Sequence, residues 1–179
     1  VPDDVTIKNN IITNIDGGTF GRWNGDAGAG NGIQIQFNDG DPTGETAEDV
    51  RIIDNEISEV TTPDTKSRTT AIGINVLPRG NDVELEIDGN IITEIQAGNS
   101  SDDTERSRAI SIDTQFDGAI DNGDNSSNPD NFAGRATNLT ITDNEITNIT
   151  SGNRVRAITL FEDGRVGDGE NENYNDGIS

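Results

Sequence analysis

The chain has 179 residues, a length that suits one domain, and a formal net charge of −22 from 34 acidic against 12 basic side chains. Such a surplus repels a phosphate backbone, so nucleic acid is not an expected partner. There is no Cys, which excludes a disulfide framework and a thiolate metal site, and no apolar run of 18 residues, so no membrane span is expected.

The first element is Val5-Thr6-Ile7-Lys8-Asn9-Asn10-Ile11-Ile12-Thr13-Asn14-Ile15. Its apolar residues alternate with polar ones at strand period. A companion strand, Ile33-Gln34-Ile35-Gln36-Phe37, follows. The first element then returns as Val50-Arg51-Ile52-Ile53-Asp54-Asn55-Glu56-Ile57-Ser58-Glu59-Val60, with the companion Ile72-Gly73-Ile74-Asn75-Val76. It returns again as Leu85-Glu86-Ile87-Asp88-Gly89-Asn90-Ile91-Ile92-Thr93-Glu94-Ile95, with the companion Ile110-Ser111-Ile112-Asp113. The last copy is Leu139-Thr140-Ile141-Thr142-Asp143-Asn144-Glu145-Ile146-Thr147-Asn148-Ile149, with the companion Ile158-Thr159-Leu160-Phe161. No stretch carries a helical i, i+3, i+4, i+7 stripe.

The repeated Asn10, Asn55, Asn90 and Asn144 stand 45, 35 and 54 residues apart. This spacing fits a coil of roughly three short strands with loops of variable length, expected at 16–31, 38–49, 61–69, 96–108 and 117–138. Those segments are rich in Gly, Asp, Asn and Ser, as turns require. No single coil can bury its own apolar face, so coils must stack. Stacking predicts apolar ladders: Val5, Val50, Leu85 and Leu139; Ile7, Ile52, Ile87 and Ile141; Ile12, Ile57, Ile92 and Ile146; Ile15, Val60, Ile95 and Ile149. The companions add Ile33, Ile72, Ile110 and Ile158, then Ile35, Ile74, Ile112 and Leu160. Asn10, Asn55, Asn90 and Asn144 form a structural ladder at a turn, with amides bonded between rungs about 4.8 Å apart.

The four Asn-x-Ile turns and the Ile ladders, across residues 5–161, make the chain resemble the right-handed parallel β-helix proteins of the pectate-lyase-like superfamily. The resemblance implies an all-β fold, a right-handed parallel β-helix (β-solenoid) of about four coils with long variable loops. The expected division is a β-helix over 1–161 and an acidic, Gly/Asn-rich tail, linker or inter-subunit arm over 162–179. The superfamily spans polysaccharide lyases and hydrolases, epimerases, phage tailspikes, adhesins and surface proteins, so fold does not give function.

Abundant Asp, only Lys8 and Lys66 as lysines, and the absence of Cys, Met and His together point to an extracellular, cell-surface or virion-surface protein of halophilic character. High salt would screen its self-repulsion. The alternative is an ordinary acidic extracellular protein that binds Ca²⁺. Four glycosylation sequons begin at Asn99, Asn125, Asn138 and Asn148; Asn99 and Asn125 lie on expected loops, and Asn148 lies on an outward face.

Several constellations could carry chemistry. Arg68, Arg106 and Arg154 align in one column before the companion strands, and Thr70, Arg108 and Arg156 in the next. This stripe, with the single Trp23 as a sugar-stacking residue, could bind an anionic glycan through bidentate guanidinium contacts. The competing reading is salt bridging to stacked carboxylates. Glu59 and Glu94 share an outward position, where a cation would relieve their repulsion, and Ca²⁺ suits oxygen-only sites. Asp39 and Asp41 open a loop that begins like a Ca²⁺ loop but has Val50 where the bidentate Glu belongs. Ca²⁺ is thus the one cofactor considered, and none is required.

Catalysis is not expected. Hydrolases of the resembling fold use clustered Asp with a His and an Arg-x-Lys element, which this chain lacks; lyases use Ca²⁺ with an Arg or Lys base, which Asp113 and Arg108 imitate only in outline. The favoured reading is therefore a non-enzymatic structural, adhesive or virion-fibre subunit. The repeat begins and ends with no capping helix, so open rungs would stack head to tail on identical subunits or on further coils of a longer chain. The runner-up is a glycan-binding or lyase-like module using the Arg stripe and Ca²⁺.

Overall fold

Apolar–polar alternation gives each segment one dry face, and its backbone groups need partners on both sides. The computed structural model describes residues 4–17, 19–20, 27–36, 48–62, 69–77, 82–98, 106–113, 135–152 and 154–161. Among these there is no helix; the regular structure is strand, and four passes of chain lie side by side in three sheets.

The first sheet runs β1 (Asp4–Lys8), β6 (Glu48–Ile53), β10 (Asp82–Asp88), β13 (Arg135–Thr142), all parallel. The second contains β2 (Ile11–Ile12), β7 (Glu56–Ile57), β11 (Ile91–Gln96) and β14 (Glu145–Thr150). The short β3 (Ile15–Asp16) and β8 (Val60–Thr61) continue it along the second half of β11. The third runs β5 (Ala27–Gln36), β9 (Thr69–Leu77), β12 (Arg106–Asp113), β15 (Arg154–Phe161), again parallel, with β4 (Thr19–Phe20) antiparallel beside β5. Along each main series the neighbours of a strand are the same segment of the preceding and following pass.

Register places like on like. Ile7, Ile52, Ile87 and Ile141 stand in one line, and Ile12, Ile57, Ile92 and Ile146 in another. In the two middle passes these columns are dry: Val50, Ile52, Ile57, Val60, Ile87, Ile92 and Ile95 are fully buried. In the outer passes the same columns, through Val5, Ile7, Ile12 and Ile15 on one side and Leu139, Ile141, Ile146 and Ile149 on the other, are only partly buried. Each fully buried aliphatic side chain contributes about 1.5–3 kcal/mol. Stability therefore concentrates in the middle passes.

One irregularity interrupts the first sheet. Register shifts between Glu84 and Glu86, so that Asn138 and Leu139 together face Leu85, and Asn138 adopts φ 48°. This is a β-bulge with its extra residue in the left-handed region.

The third sheet corrects the expected alignment. Ile110 pairs with Ile74, not Ile72, and Ile112 with Val76, not Ile74; Ile33 and Ile35 pair with the same two residues from the other side. The expected arginine column changes with it. Arg106 lies beside Thr70 and Arg108 beside Ile72, while Arg68 falls outside the described residues. The cause is that a slip of two residues along Ala71-Ile72-Gly73-Ile74 preserves the apolar alternation, whereas a slip of one would invert it. Strands also extend into expected loops: β5 begins at Ala27, β12 at Arg106 and β13 at Arg135.

Packing decides the register. A Cβ added to Gly73 would lie 2.7 Å from both the Ala109 carbonyl oxygen and Ile92 Cγ2. One added to Gly32 would lie 2.5 Å from Ile57 Cγ2 and 2.7 Å from the Gly73 carbonyl oxygen. Gly32, Gly73, Ala109 and Ala157 therefore form a column of small residues where pairing is interrupted in every pass. Aligning Ala71 with Ala109 would put Ile110 beside Ile72 and move Gly73 out of this close approach.

Candidate functional site

The repeated Asn follows a residue suited to a tight turn. Asn9, Asp54, Gly89 and Asp143 all adopt left-handed conformations, with φ of 56°, 53°, 65° and 50°. Asn, Asp and Gly tolerate that region best. The bend points each following Asn side chain along the stack. Asn55 Oδ1 accepts from Asn10 N–H at 3.1 Å and from Asn10 Nδ2 at 3.0 Å. Asn90 Oδ1 accepts from Asn55 N–H and Asn55 Nδ2, both at 3.0 Å. Asn144 Oδ1 accepts from Asn90 N–H at 3.0 Å and Asn90 Nδ2 at 2.9 Å. The amides also donate to backbone: Asn55 Nδ2 to Ile7 O and Ile53 O, Asn90 Nδ2 to Ile52 O and Asp88 O, Asn144 Nδ2 to Ile87 O and Thr142 O.

The ladder has a direction. Every Oδ1 accepts from the pass before it, so Asn10 presents its Oδ1 at one edge and Asn144 its backbone N–H at the other. Asn55 and Asn90 are buried, while Asn10 is exposed and Asn144 half-buried.

A second left-handed column follows five residues after the first. Asn14, Glu59, Glu94 and Asn148 have φ of 58°, 54°, 55° and 53°. The outward position proposed for a cation is thus a turn position, and Glu is unusual in it. Glu59 Oε2 accepts a hydrogen bond from Thr13 Oγ1 at 2.8 Å. Among the described residues no group of three or more His, Cys, Asp or Glu gathers to hold a metal ion. Asp39 and Asp41 lie outside the described residues. Asp4, Asp49 and Glu84 form another acidic column, in which Arg51 bonds Asp49 through Nε at 3.2 Å and Nη2 at 2.8 Å while approaching Glu86, outside the column, at 3.5 Å. The Asp49 hydrogen bond and charge raise the Arg51 pKa above its ordinary value.

The arginines divide. Arg106 pairs with Arg154, and Arg108 with Arg156, giving a two-by-two block. Arg154 and Arg156 are exposed. Arg108, expected at the surface, is buried, and its Nη1 donates to Ser111 Oγ at 3.1 Å. Arg106, Arg108 and Arg156 all take part in interactions within the protein. Trp23 lies outside the described residues, as do Asn99 and Asn125. Asn138 is exposed at the bulge, its Nδ2 bonded to Glu84 Oε1 at 2.9 Å; Asn148 is exposed at the second turn column.

Sequence reasoning placed Glu59 and Glu94 in one outward column but read neither column as left-handed. The signal was available for the first: Asn, Asp or Gly precedes the ladder Asn in every copy. The edges of the stack carry a further feature. In the fourth pass Ile158 is 45% exposed and Leu160 43%, whereas Ile110 and Ile112 in the pass before are at most 1% exposed.

Fold and geometry together define an all-β protein of stacked parallel strands whose most ordered polar feature is a directional amide ladder. The described residues include no helix long and apolar enough to cross a membrane. Comparisons with protein-family models, curated proteins and solved structures find no match.

Proposed function

We propose that the chain is a non-enzymatic extracellular structural or adhesive element, a right-handed parallel β-helix of the pectate-lyase-like kind, that works by stacking end to end. Three parallel sheets, each re-entered in order by four passes of chain, support the solenoid reading. The right hand follows from the strong chiral preference of parallel crossovers. A filament, surface appendage or virion fibre is the setting that suits such a unit, and the cations of high-salt surroundings would screen its charge of −22.

The observation that carries the proposal is the contrast within single columns: Ile110 is fully buried, while Ile158, beside it in register, is 45% exposed. Covering the fourth pass would dry that column as the fourth pass dries the third. Edge strands also present unpaired backbone groups, a template for association. Sedimentation velocity across a range of protein concentrations tests the idea. Stacking requires growth of larger species with concentration; a single monomeric species throughout would overturn it.

A second reading, binding of an anionic glycan with Ca²⁺, rests on the exposed Arg154 and Arg156 beside each other's column mates. Guanidinium pairs suit carboxylate and sulfate groups. The burial of Arg108 weighs against a stripe of full length. Binding of sulfated and uronate oligosaccharides, with and without chelator, to an Arg154→Ala, Arg156→Ala variant discriminates: unchanged binding sinks this reading.

A further inference from the structure

We infer that the occupant of the fourth-pass edge is the first pass of a second identical copy, docked in register along the first two sheets so that Asn10 of that copy follows Asn144, with β4 already beside the start of β5 in the third. The inference rests on the end-to-end reading above and specifies its partner, direction and register.

Direction comes from the ladder. Each Asn donates forward, through N–H and Nδ2, to the Oδ1 of the next. The fourth pass therefore ends on the backbone N–H of Asn144, and the first begins on the Oδ1 acceptor of Asn10. Head-to-tail contact matches donor to acceptor; head-to-head contact would oppose two acceptors. A heterologous contact of this kind propagates instead of closing.

Identity of the partner comes from an outward column of the second sheet. It reads Ile11, Glu56, Ile91, Glu145 through the four passes. Ile11 and Ile91 are exposed by 76% and 43%. Isoleucine thus alternates with glutamate, whose methylenes can cover an aliphatic neighbour while the carboxylate stays in water. A second copy in register sets Ile11 after Glu145, so the alternation continues. A shift by one pass in either copy would break it.

Charge agrees. Within the chain, register forces like charges together: Asp49 beside Glu84, Glu59 beside Glu94, Arg108 beside Arg156. Each such neighbour opposes pairing. At the inferred junction Asp143 meets Asn9 and Glu145 meets Ile11, with no like charges paired between these columns. A slip of two residues would keep the apolar columns facing but carry Asn144 away from Asn10. The ladder therefore fixes the register that apolar packing leaves open.

The chain has no Cys, so introduced thiols are unique reporters. Thr13 and Thr147 occupy one exposed column, in which Ser58 Oγ lies 3.3 Å from Thr13 Oγ1 and Thr147 Oγ1 3.0 Å from Thr93 Oγ1. In register, Thr147 of one copy neighbours Thr13 of the next at about 4.8 Å, within the Cα separation a disulfide spans. Thr13→Cys and Thr147→Cys variants are mixed and oxidised, and sedimentation of each variant checks that association persists. The expected product is a mixed disulfide dimer, with neither variant forming a disulfide dimer alone. Association without the mixed disulfide overturns the register while leaving end-to-end stacking standing. Disulfide dimers of Thr13→Cys alone overturn the direction. Absence of association in the unmodified chain overturns both.

Discussion

Asn90 Oδ1 receives two hydrogen bonds from Asn55, one from its backbone N–H and one from its side-chain Nδ2, each 3.0 Å long. Both residues are buried, so no water can replace either bond. Removing the Asn90 side chain would orphan the backbone N–H of Asn55, cost Asn55 Nδ2 one of its acceptors, and take the amide donor from Ile52 O and Asp88 O. An orphaned buried polar group costs about 1–3 kcal/mol, so Asn90→Ala is expected to destabilise by about 2–4 kcal/mol. Asn10→Ala, at the exposed edge, should cost less than about 1 kcal/mol. Urea unfolding of the two variants checks this; equal losses would contradict it.

The second turn column makes a prediction of opposite sign. Glu94 holds φ 55° where Asn14 and Asn148 hold 58° and 53°. Left-handed backbone costs most residues about 1 kcal/mol, and Asn less. Glu94→Asn also removes a like charge beside Glu59. It should therefore stabilise by about 0.5–1 kcal/mol, and Glu94→Val should destabilise by more than about 1 kcal/mol, both read from thermal midpoints.

The column of small residues in the third sheet tolerates no growth at its glycines. Gly73→Ala forces a methyl to 2.7 Å from a backbone carbonyl that cannot swing away. Overpacking of this kind costs about 1–3 kcal/mol. Ala157→Gly, in the same column at the exposed edge, should change stability by about 1 kcal/mol or less, the cost of a glycine in a strand. Comparable losses at both positions would contradict the packing argument.

Net charge makes a prediction about salt. Carboxylates stack in the Asp4–Asp49–Glu84 and Glu59–Glu94 columns of a chain carrying −22. Raising NaCl shortens the Debye length from about 10 Å at 0.1 M to about 3 Å at 1 M and should raise the thermal midpoint. Glu94→Gln should flatten that dependence. A midpoint unmoved by salt would remove the electrostatic reading.

The first two sheets were legible because each copy carries its own index mark. Asn10, Asn55, Asn90 and Asn144 fix the register of every apolar residue within five positions of them. The third sheet lacks such a mark. Ala71-Ile72-Gly73-Ile74 offers two alignments with the same inward–outward pattern, and only the space around Gly73 chooses between them. The arginine block depends on that choice: Thr70 stands beside Arg106 and Ile72 beside Arg108, where the expected alignment set Thr70 beside Arg108. The burial of Arg108 carried a signal that charge obscured: at period two it shares the face of Ile110 and Ile112, and its guanidinium marked it for the surface.

The central claim, a parallel β-helix that stacks end to end through its edge rungs, is tested most directly by fibre diffraction from concentrated, aligned protein. Unbroken stacking predicts a meridional reflection at about 4.8 Å from successive rungs and a subunit repeat near four rungs, about 19 Å. Concentrated protein that forms no fibres and gives neither spacing would contradict it.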